Sequence, residues 1–479
     1  MKKTLLTAAI RGSTIHFAHA DALTFNPDAY RQAETDGQAY RAYEGIVYVA
    51  HPVDAQHQQL NLYIPEAYFH DGSIDGFTAN NAPIFLPNNI GGYMPAEAGT
   101  PDSPSRNGQK NTIAAALSKG YVVASPAARG RTSPTGKAPA AILDLKAAVR
   151  YLRFNDARMP GDAEKIISNG TSAGGALSVL LGATASQADY EPYLLALGAA
   201  PARDDIFAVS SYCPISDLEH ADAAYEWQFQ GVNDYEKMDI SMLDYKVERK
   251  LVKGSLNAEQ QRLSSLLKPT FTTYLNSLNL QDTDGTALTL DKDGNGSFKN
   301  YLATQLVHSA QSALDNKQID GKDLQTRDWL TIENNRVTAA DFDRYAHAAG
   351  RQKNPPAFDA IDLSSGENQL FGTAENDKQH FTDFSMQHNT VPQATRADTH
   401  IVKLMNPLPY LDTTPVKHWR IRVGTVDRDT SLAISAILAI SLQQRGKSVD
   451  YALPWNVPHR GDYDLDALFA WMKRISLEK

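Results

Sequence analysis

The side chain best suited to chemistry in this sequence is the hydroxyl of Ser172. It sits in the segment Gly170-Thr171-Ser172-Ala173-Gly174, which follows the apolar pair Ile166-Ile167 and precedes the helix-prone run Ala176–Leu181. This order predicts a strand, a tight turn and a helix, with the serine at the apex of the turn. The two glycines avoid a clash with the strand and the helix, and the positive end of the helix faces the serine. Ser172 is therefore predicted to be a nucleophile rather than an ordinary turn residue.

A Gly-x-Ser-x-Gly turn in this setting is the nucleophile elbow of the α/β-hydrolases. A serine hydroxyl reacts only when a histidine takes its proton, and that histidine needs a carboxylate to fix its tautomer. In this fold the chain order is serine, acid, histidine, and the acid and the histidine stand on loops that follow strands. The two partners of Ser172 must therefore be sought in the C-terminal part of the chain.

Two C-terminal loops meet this requirement. Of thirteen histidines, His459 alone follows the last predicted strand, whereas His418 precedes its strand and is predicted to be structural. The preceding predicted strand leads into a loop that contains Asp427 and Asp429. Either carboxylate could orient His459, and chain position does not choose between them.

An ester or amide hydrolase of this kind also needs donors for the developing oxyanion. The backbone N–H of Ala173, directly after the nucleophile, is the first predicted donor. The second is predicted to come from the loop after the apolar strand at 83–87, where Gly91 and Gly92 let the backbone approach a ligand closely.

Predicted strands and helices alternate from about residue 45 to residue 215, and the strands are almost wholly apolar. The predicted strands are Gly45–Ala50, Gln59–Ile64, Ala82–Pro87, Gly120–Ser125 and Asp205–Tyr212, and the predicted helices are Ile113–Ser118 and Ala140–Phe154. Such alternation indicates an α/β fold with a mostly parallel sheet that is covered on both faces.

The alternation stops after Ile215. Up to about residue 400 the chain is polar and mainly helical, without clear buried strands; the predicted helices are Ala258–Leu267, Phe298–Leu314 and Ala339–Ala349. The pattern resumes with strands Trp419–Val423 and Ser448–Leu453 and helices Ala433–Gln443 and Leu465–Ile475. We therefore predict an α/β-hydrolase core of residues 21–215 and 401–479, interrupted by a lid domain of residues 216–400.

The composition restricts the partners of the protein. A net charge of −9 argues against nucleic acid and against an anionic membrane surface. Cys213 is the single cysteine, so no intrachain disulfide forms, and it is predicted to be a small buried apolar residue. The segment Asp291–Gly296 matches half of a calcium-binding loop, but Leu302 stands where calcium needs a glutamate, so a polar turn is predicted. We expect neither a metal nor a cofactor.

The N-terminus has some features of a secretion signal. Two lysines precede an apolar run that starts at Thr4, but Arg11 limits this run to about seven residues, the lower end of the range for a signal peptide. We expect a cytoplasmic protein; the alternative is export through a weak signal peptide formed by residues 1–20.

Several longer phrases of the sequence closely resemble bacterial tannases, over almost everything from about residue 40 to residue 473. These phrases are Gly170–Gly175, Asp204–Val209, Tyr212–Ile215, Leu218–Asp222, Tyr225–Phe229, Lys417–Arg422, Asp427–Thr430 and Pro458–Tyr463. Tannases are α/β-hydrolases that cleave the galloyl esters of hydrolysable tannins and simple gallates. The resemblance thus implies a serine esterase that works through an acyl-enzyme intermediate on phenolic ester substrates.

The resemblance also implies roles for individual residues. It makes Ser172, Asp427 and His459 the catalytic triad. It implies that Lys353, Glu367 and Asp429 bind the galloyl hydroxyls, and that Ile215 packs on the aromatic face. This assignment is chemically sensible, because phenol groups donate to carboxylates and accept from an ammonium. The chain departs from related tannases at Gly366, where these can carry proline.

Two other functions compete with this interpretation. The same fold also supports feruloyl-type and general carboxylesterases, which have no need for Glu367 and Asp429 together. A hydrolase fold that has lost its activity and serves as a binding module is the second alternative, and the presence of Ser172, Asp427 and His459 argues against it.

Overall fold

The computed structural model describes residues 22–104, 110–243 and 246–478. The proposed signal segment, residues 1–20, lies outside these ranges. Two compact units are distinguished by their internal contacts. The first unit contains the described residues up to Ser211, together with Thr413–His418 and the residues from Asp462 onward. The second unit contains Tyr212–Asp412 and Trp419–Gly461.

The described chain forms strands and helices with the following bounds. The strands are β1 (Arg31–Thr35), β2 (Gln38–Val47), β3 (Gln59–Pro65), β4 (Pro83–Pro87), β5 (Val122–Pro126), β6 (Asp162–Thr171), β7 (Ala208–Tyr212), β8 (Asp234–Leu243), β9 (Lys246–Ser255), β10 (Leu330–Glu333), β11 (Arg336–Ala340), β12 (His418–Arg422) and β13 (Ser448–Ala452). The first helices are α1 (Thr112–Ser118), α2 (Ala140–Phe154), α3 (Ala173–Ala183), α4 (Glu191–Ala196), α5 (Leu218–Phe229), α6 (Ala258–Ser277) and α7 (Ser297–Asp315). The later helices are α8 (Gly321–Gln325), α9 (Phe342–Ala349), α10 (Gly366–Leu370), α11 (Asp383–Gln387), α12 (Thr399–Leu404), α13 (Leu432–Gln444) and α14 (Leu465–Leu477).

In the first unit the strands follow the order β1-β2-β3-β5-β4-β6-β7. The pairs β1–β2, β2–β3 and β3–β5 are antiparallel, whereas β4 runs parallel to both β5 and β6. Every residue of β4 and β5 is buried, as expected for strands covered on both faces. The predicted α/β class with a mostly parallel sheet is confirmed, and the antiparallel strands β1–β3 form one edge.

The helices of the first unit follow from the apolar spacing of the sequence. Helix α2 has the predicted bounds, and its residues are buried from Ala140 to Leu152. Three charged residues of α2 are buried with partners: Lys146 and Arg150 lie 3.0 and 2.9 Å from Asp204, and Asp144 lies 2.8 Å from Arg129. Burial of charges requires such pairing, so these contacts fix the position of the helix.

The second unit is built around α5, which is buried along nearly its whole length. Helix α5 packs against α6, and the fully buried Glu226 binds Arg351 through contacts of 2.7 and 2.5 Å. Ser264 of α6 donates to the same carboxylate at 2.7 Å. Strand β12 lies beside β13, with α13 between them in the chain.

Two antiparallel hairpins also occur in this unit, β8–β9 and β10–β11. The sequence predicted no buried strands in this region, and the described residues of these hairpins are mostly exposed or half-buried. Part of the predicted helix Ala339–Ala349 belongs to β11, and the helix begins only at Phe342. The Asp341 carboxylate accepts a hydrogen bond from the backbone N–H of Arg344 and so caps the N-terminus of α9.

The polar turn predicted at Asp291–Gly296 is present before α7. The Asp291 carboxylate accepts hydrogen bonds from the backbone N–H groups of Asp293 and Asn295 at 2.8 and 3.0 Å. These bonds are internal to the turn. Within the described ranges, none of the helices is both long and apolar enough to cross a membrane.

Candidate active site

Ser172 lies between the end of β6 and the start of α3, at the predicted apex. Its backbone has φ 58° and ψ −121°. A non-glycine residue seldom adopts positive φ, and such strain concentrates at functional sites. The geometry is that of a nucleophile elbow, in which the serine is turned out of the strand at the first turn of the following helix.

The glycines beside the serine are required by close contacts. A Cβ atom at Gly170 would lie 2.2 Å from the carbonyl oxygen of Gly174, and one at Gly174 would lie 2.4 Å from Oδ1 of Asn88. The Gly174 carbonyl belongs to the backbone of α3, and the half-buried Asn88 amide is held by three hydrogen bonds, so neither can move by the ångström or so that a methyl group would need. The elbow can therefore form only with glycine at both positions.

The loop after β4 is bound directly to the elbow. The Asn88 amide donates to the carbonyl oxygens of Asn169 and Gly174 at 3.2 and 3.1 Å, and to Oγ of Ser178 at 3.2 Å. The Gly174 N–H donates to the Ile90 carbonyl at 3.1 Å. Gly91 and Gly92, the predicted oxyanion-hole residues, thus follow immediately after a residue that is fixed to the elbow.

Gly91 and Gly92 are exposed, and a Cβ atom on either one would contact nothing within 4 Å. Gly92 has φ +56°, a conformation that favours glycine. Ala173, which would supply the other oxyanion donor, is the first residue of α3. The backbone N–H groups at a helix N-terminus have no partner within the helix and suit a negative charge.

His459 and Asp427 are in contact in the second unit. Nδ1 of His459 lies 2.7 Å from Oδ2 of Asp427. The Asp427 side chain is fully buried, and the His459 side chain is 19% exposed. A buried carboxylate on Nδ1 favours the neutral tautomer that carries its proton on Nδ1, in which Nε2 can act as a base.

The loops that carry these two residues are bonded to each other. The Val426 N–H donates to the Val457 carbonyl at 3.2 Å, and the Asn456 N–H donates to Oγ1 of Thr425 at 2.8 Å. A Cβ atom at Gly424 would lie only 1.8 Å from the Val457 carbonyl oxygen. Glycine at position 424 is therefore what allows the two loops to meet.

Asp429, the other candidate acid, approaches the opposite side of the imidazole. Its Oδ2 atom lies 3.3 Å from Nε2 of His459, and its backbone N–H donates to Oδ1 of Asp427 at 2.9 Å. The Gln352 side-chain amide donates to Oδ1 of Asp429. The two carboxylates thus have different positions: Asp427 is buried at Nδ1, and Asp429 is partly exposed near Nε2.

Cys213 also belongs to this neighbourhood, which its sequence context did not reveal. The residue is buried as predicted, but its Sγ atom lies 4.0 Å from Nε2 of His459 and 3.7 Å from the Arg460 carbonyl oxygen. Its φ of +41° is unusual for a non-glycine residue. The signal that could have marked it is its position at the end of a predicted strand of the sheet.

These neighbours change the pKa of His459. Burial alone lowers the pKa of His459, but the Asp427 carboxylate and Cys213 outweigh burial and hold this pKa well above 6.5. The protonated imidazolium is therefore more favoured than in an unperturbed histidine.

Lys353 and Glu367, which the family resemblance assigns to substrate binding, line one cleft of about 640 Å³ in the second unit. Nζ of Lys353 lies 4.1 Å from the centre of the Phe358 ring, a cation–π distance. Glu367 stands in the first turn of α10, which Ser365 caps. Gln352, which binds Asp429, also lines the cleft. Ile215 is half-buried and follows β7.

A serine elbow between a parallel strand and a helix, in an α/β fold of this strand order, defines the α/β-hydrolase class. In agreement, the profile of the BD-FAE family, a family of this class, matches residues 99–261. Among curated protein sequences none matches this chain.

Similarity to solved structures identifies the family to which the chain belongs within this class. The chain is 51% identical to the tannase of Fusobacterium nucleatum, with a TM-score of 0.91 over 95% of this chain and 99% of that one. It is 46% identical to a tannin acyl hydrolase in complex with ethyl gallate, with a TM-score of 0.88, 95% of this chain and 99% of the other being covered. The same identity and coverage apply to a tannin acyl hydrolase in complex with 3,4-dihydroxybenzoate, with a TM-score of 0.87. The chain therefore belongs to the bacterial tannase family, and it is a carboxylic ester hydrolase.

Proposed function

We propose that the chain hydrolyses galloyl esters, both of hydrolysable tannins and of simple gallates and protocatechuates, through an acyl-enzyme on Ser172. The observation that carries the mechanism is the 2.7 Å contact between His459 and the fully buried Asp427. The substrate class is supported by the relatives, one of which binds ethyl gallate and one 3,4-dihydroxybenzoate.

In the proposed first half-reaction, Nε2 of His459 takes the proton of the Ser172 hydroxyl as Oγ attacks the ester carbonyl carbon. The resulting oxyanion is stabilised by the N–H of Ala173 and by one N–H from Gly91 or Gly92, each worth roughly 3–4 kcal/mol. His459 then gives its proton to the departing alcohol, and the acyl group stays on Ser172. Asp427 keeps the imidazole oriented and stabilises the imidazolium.

In the second half-reaction a water molecule takes the place of the alcohol. His459 removes one proton of this water while its oxygen attacks the acyl-serine carbonyl. Collapse of the second tetrahedral intermediate releases the carboxylic acid and returns the proton to Oγ of Ser172. Proton transfer in both halves passes through Nε2, so the histidine must be neutral when each half begins.

Recognition of the acyl group is assigned to Lys353, Glu367 and Asp429. The two carboxylates would accept hydrogen bonds from adjacent phenol groups, and the ammonium would donate to a phenol oxygen. The position of Lys353 and Glu367 on one cleft, with Asp429 bonded to the cleft residue Gln352, supports this assignment. Ile215 would contribute an apolar contact to the ring.

We retain two sequence-based proposals with this function. Residues 216–400 would be a lid domain inserted into a core of residues 21–215 and 401–479; in support, the lining residues of the cleft fall between Lys237 and Thr390. The short apolar run before Arg11 favours a cytoplasmic location over export.

Hydrolysis of methyl gallate and of methyl ferulate by the purified chain tests the proposed substrate class. We expect methyl gallate to be strongly preferred, because methyl ferulate lacks the three adjacent hydroxyls and carries a longer acyl chain. Equal values of kcat/KM for the two esters would favour a general or feruloyl-type esterase. Absence of turnover on any ester would favour a binding module.

A further inference from the structure

The hydroxyl of Tyr225 makes three hydrogen bonds in the second unit. It accepts the backbone N–H groups of Gln352 and Lys353 at 3.0 and 3.1 Å, and it donates to the carbonyl oxygen of Arg428 at 2.8 Å. The side chain is completely buried, so no water competes for these bonds. One phenol group thus joins the segment of Lys353 to the loop of Asp427 and Asp429.

The position of Tyr225 on α5 explains how a helix can hold the segment that follows α9. Asp222, Tyr225 and Glu226 are spaced by three and four residues and therefore share one face of the helix. Asp222 accepts the Phe358 N–H at 2.6 Å, and Glu226 binds Arg351. The three side chains anchor successive points of the segment from residue 351 to residue 358.

Tyr225 differs from its two neighbours on this face because it also reaches Arg428. A second link runs in parallel, since the Gln352 side chain donates to Oδ1 of Asp429. Burial raises the pKa of Tyr225, so the phenol stays protonated and remains a donor to Arg428. Two short bridges therefore connect the segment of Gln352 and Lys353 with the loop that contains Arg428 and Asp429.

We propose that Tyr225, assisted by Gln352, is a positioning residue for substrate recognition: it sets the distance between the Lys353 ammonium and the Asp429 carboxylate. This inference rests on the proposed function, in which both groups bind hydroxyls of the same ring. Adjacent phenol groups have fixed spacing, so the protein groups that bind them must be held at a matching spacing. A displacement of about 1 Å in such a site can cost on the order of 10²-fold in rate.

The test is Tyr225→Phe, with Tyr274→Phe as the matched control. Tyr274 is a half-buried phenol of this unit, and its hydroxyl donates at 2.5 Å to Asp217, which belongs to neither segment. Each variant is assayed on methyl gallate and on 4-nitrophenyl benzoate, an ester without ring hydroxyls but with a good leaving group. Circular dichroism and the melting temperature show whether each variant is folded.

For Tyr225→Phe we expect KM for methyl gallate to rise by about 10-fold or more, while kcat/KM for 4-nitrophenyl benzoate changes by less than about 3-fold. Tyr274→Phe should leave the ratio of the two activities unchanged. A parallel fall on both esters, or an unchanged KM for methyl gallate, would overturn the proposal. Should Tyr225→Phe not fold, Gln352→Ala provides the same test, with a smaller rise in KM expected and an unchanged KM again contradicting the proposal.

The experiments distinguish an incorrect proposed function from an incorrect role for Tyr225. If the unmodified chain does not prefer methyl gallate to methyl ferulate, the galloyl-ester assignment is wrong before Tyr225 is considered. If it does prefer methyl gallate but Tyr225→Phe keeps that preference and its KM, only the positioning role is wrong.

Discussion

Oδ2 of Asp427 lies 2.7 Å from Nδ1 of His459, and the carboxylate is wholly buried. Asp429 stands two residues further along the same loop, with its Oδ2 3.3 Å from Nε2 of the same ring. The sequence offered both carboxylates as orienting acids. Their positions give them different chemistry, since a group on Nδ1 fixes the tautomer, whereas a group near Nε2 faces the side that must exchange protons.

Replacement of the two acids by asparagine should therefore have different effects. Asp427→Asn is expected to lower kcat by about 10⁴-fold, because an amide at Nδ1 permits the wrong tautomer. Asp429→Asn is expected mainly to raise KM for gallates, because it weakens a contact to a ring hydroxyl. Steady-state kinetics on methyl gallate distinguish the two. The opposite pattern, with Asp429→Asn abolishing kcat and Asp427→Asn mild, would exchange their roles.

The pH profile depends on the pKa of His459, which Asp427 and Cys213 hold well above 6.5 against the opposing effect of burial. Only neutral imidazole can act as the base, so activity should rise with pH through this pKa and fall on its acid side. The acid limb of kcat/KM should consequently have its midpoint above pH 6.5. Measurement on methyl gallate from pH 5 to pH 9 checks this.

Two further results would bear on the pH prediction. Asp427→Asn removes the charge that raises the pKa of His459, so its residual activity should show an acid limb displaced to lower pH. A profile that is flat between pH 5 and pH 7 in the unmodified chain is incompatible with His459 as the base.

Specificity for hydroxylated rings should depend on Glu367. A buried polar group left without its partner can reject an analogue by about 10⁴-fold, whereas loss of one methylene costs only about 10–200-fold. We therefore expect methyl benzoate to be nearly inert, protocatechuate esters to be intermediate and gallate esters to be best. Glu367→Ala should raise KM for methyl gallate and reduce the preference over methyl benzoate by at least about 10-fold.

Glu259→Ala is the matched control for this prediction. Glu259 lines the same cleft, but its side chain is 57% exposed and pairs with Arg262. Its removal should leave the ratio of the two activities unchanged. An equal ratio for Glu367→Ala and the unmodified chain would mean that Glu367 is only a solvated charge.

Much of the fold could be predicted because local sequence patterns mark its strands and helices. Helix α2 has the predicted bounds, and β4 and β5 lie within one or two residues of the predicted strands, since apolar runs and periodic spacing mark buried elements. The hairpin β8–β9 was not predicted because its described side chains are mostly polar and none of those described is buried. Its strands are defined by backbone pairing, which leaves no apolar pattern in the sequence.

The neighbourhood of the candidate site could be predicted only in part. The chain order of the hydrolase fold predicted which loops carry Asp427 and His459. The sequence analysis did not predict that Cys213 lies near the imidazole. The bond between Tyr225 and Arg428 joins residues 203 positions apart, and the one between Gln352 and Asp429 spans 77. Contacts of this range arise from the packing of the whole unit and have no local signature.

Ser172 and His459 should act as one catalytic unit. His459→Ala is expected to be about as severe as Ser172→Ala, and the double variant should be scarcely worse than either single one, because each step needs both groups. Turnover of methyl gallate by the three variants checks this. Effects that multiply in the double variant would show that the two residues contribute independently.

The most direct test of the central claim is turnover of methyl gallate by Ser172→Ala, with equilibrium binding of gallate measured on the same preparation. We predict that kcat falls by about 10⁴–10⁶-fold while gallate still binds with nearly unchanged affinity, because the nucleophile is lost and the recognition groups remain. Retention of more than about a tenth of the normal turnover would contradict catalysis by Ser172.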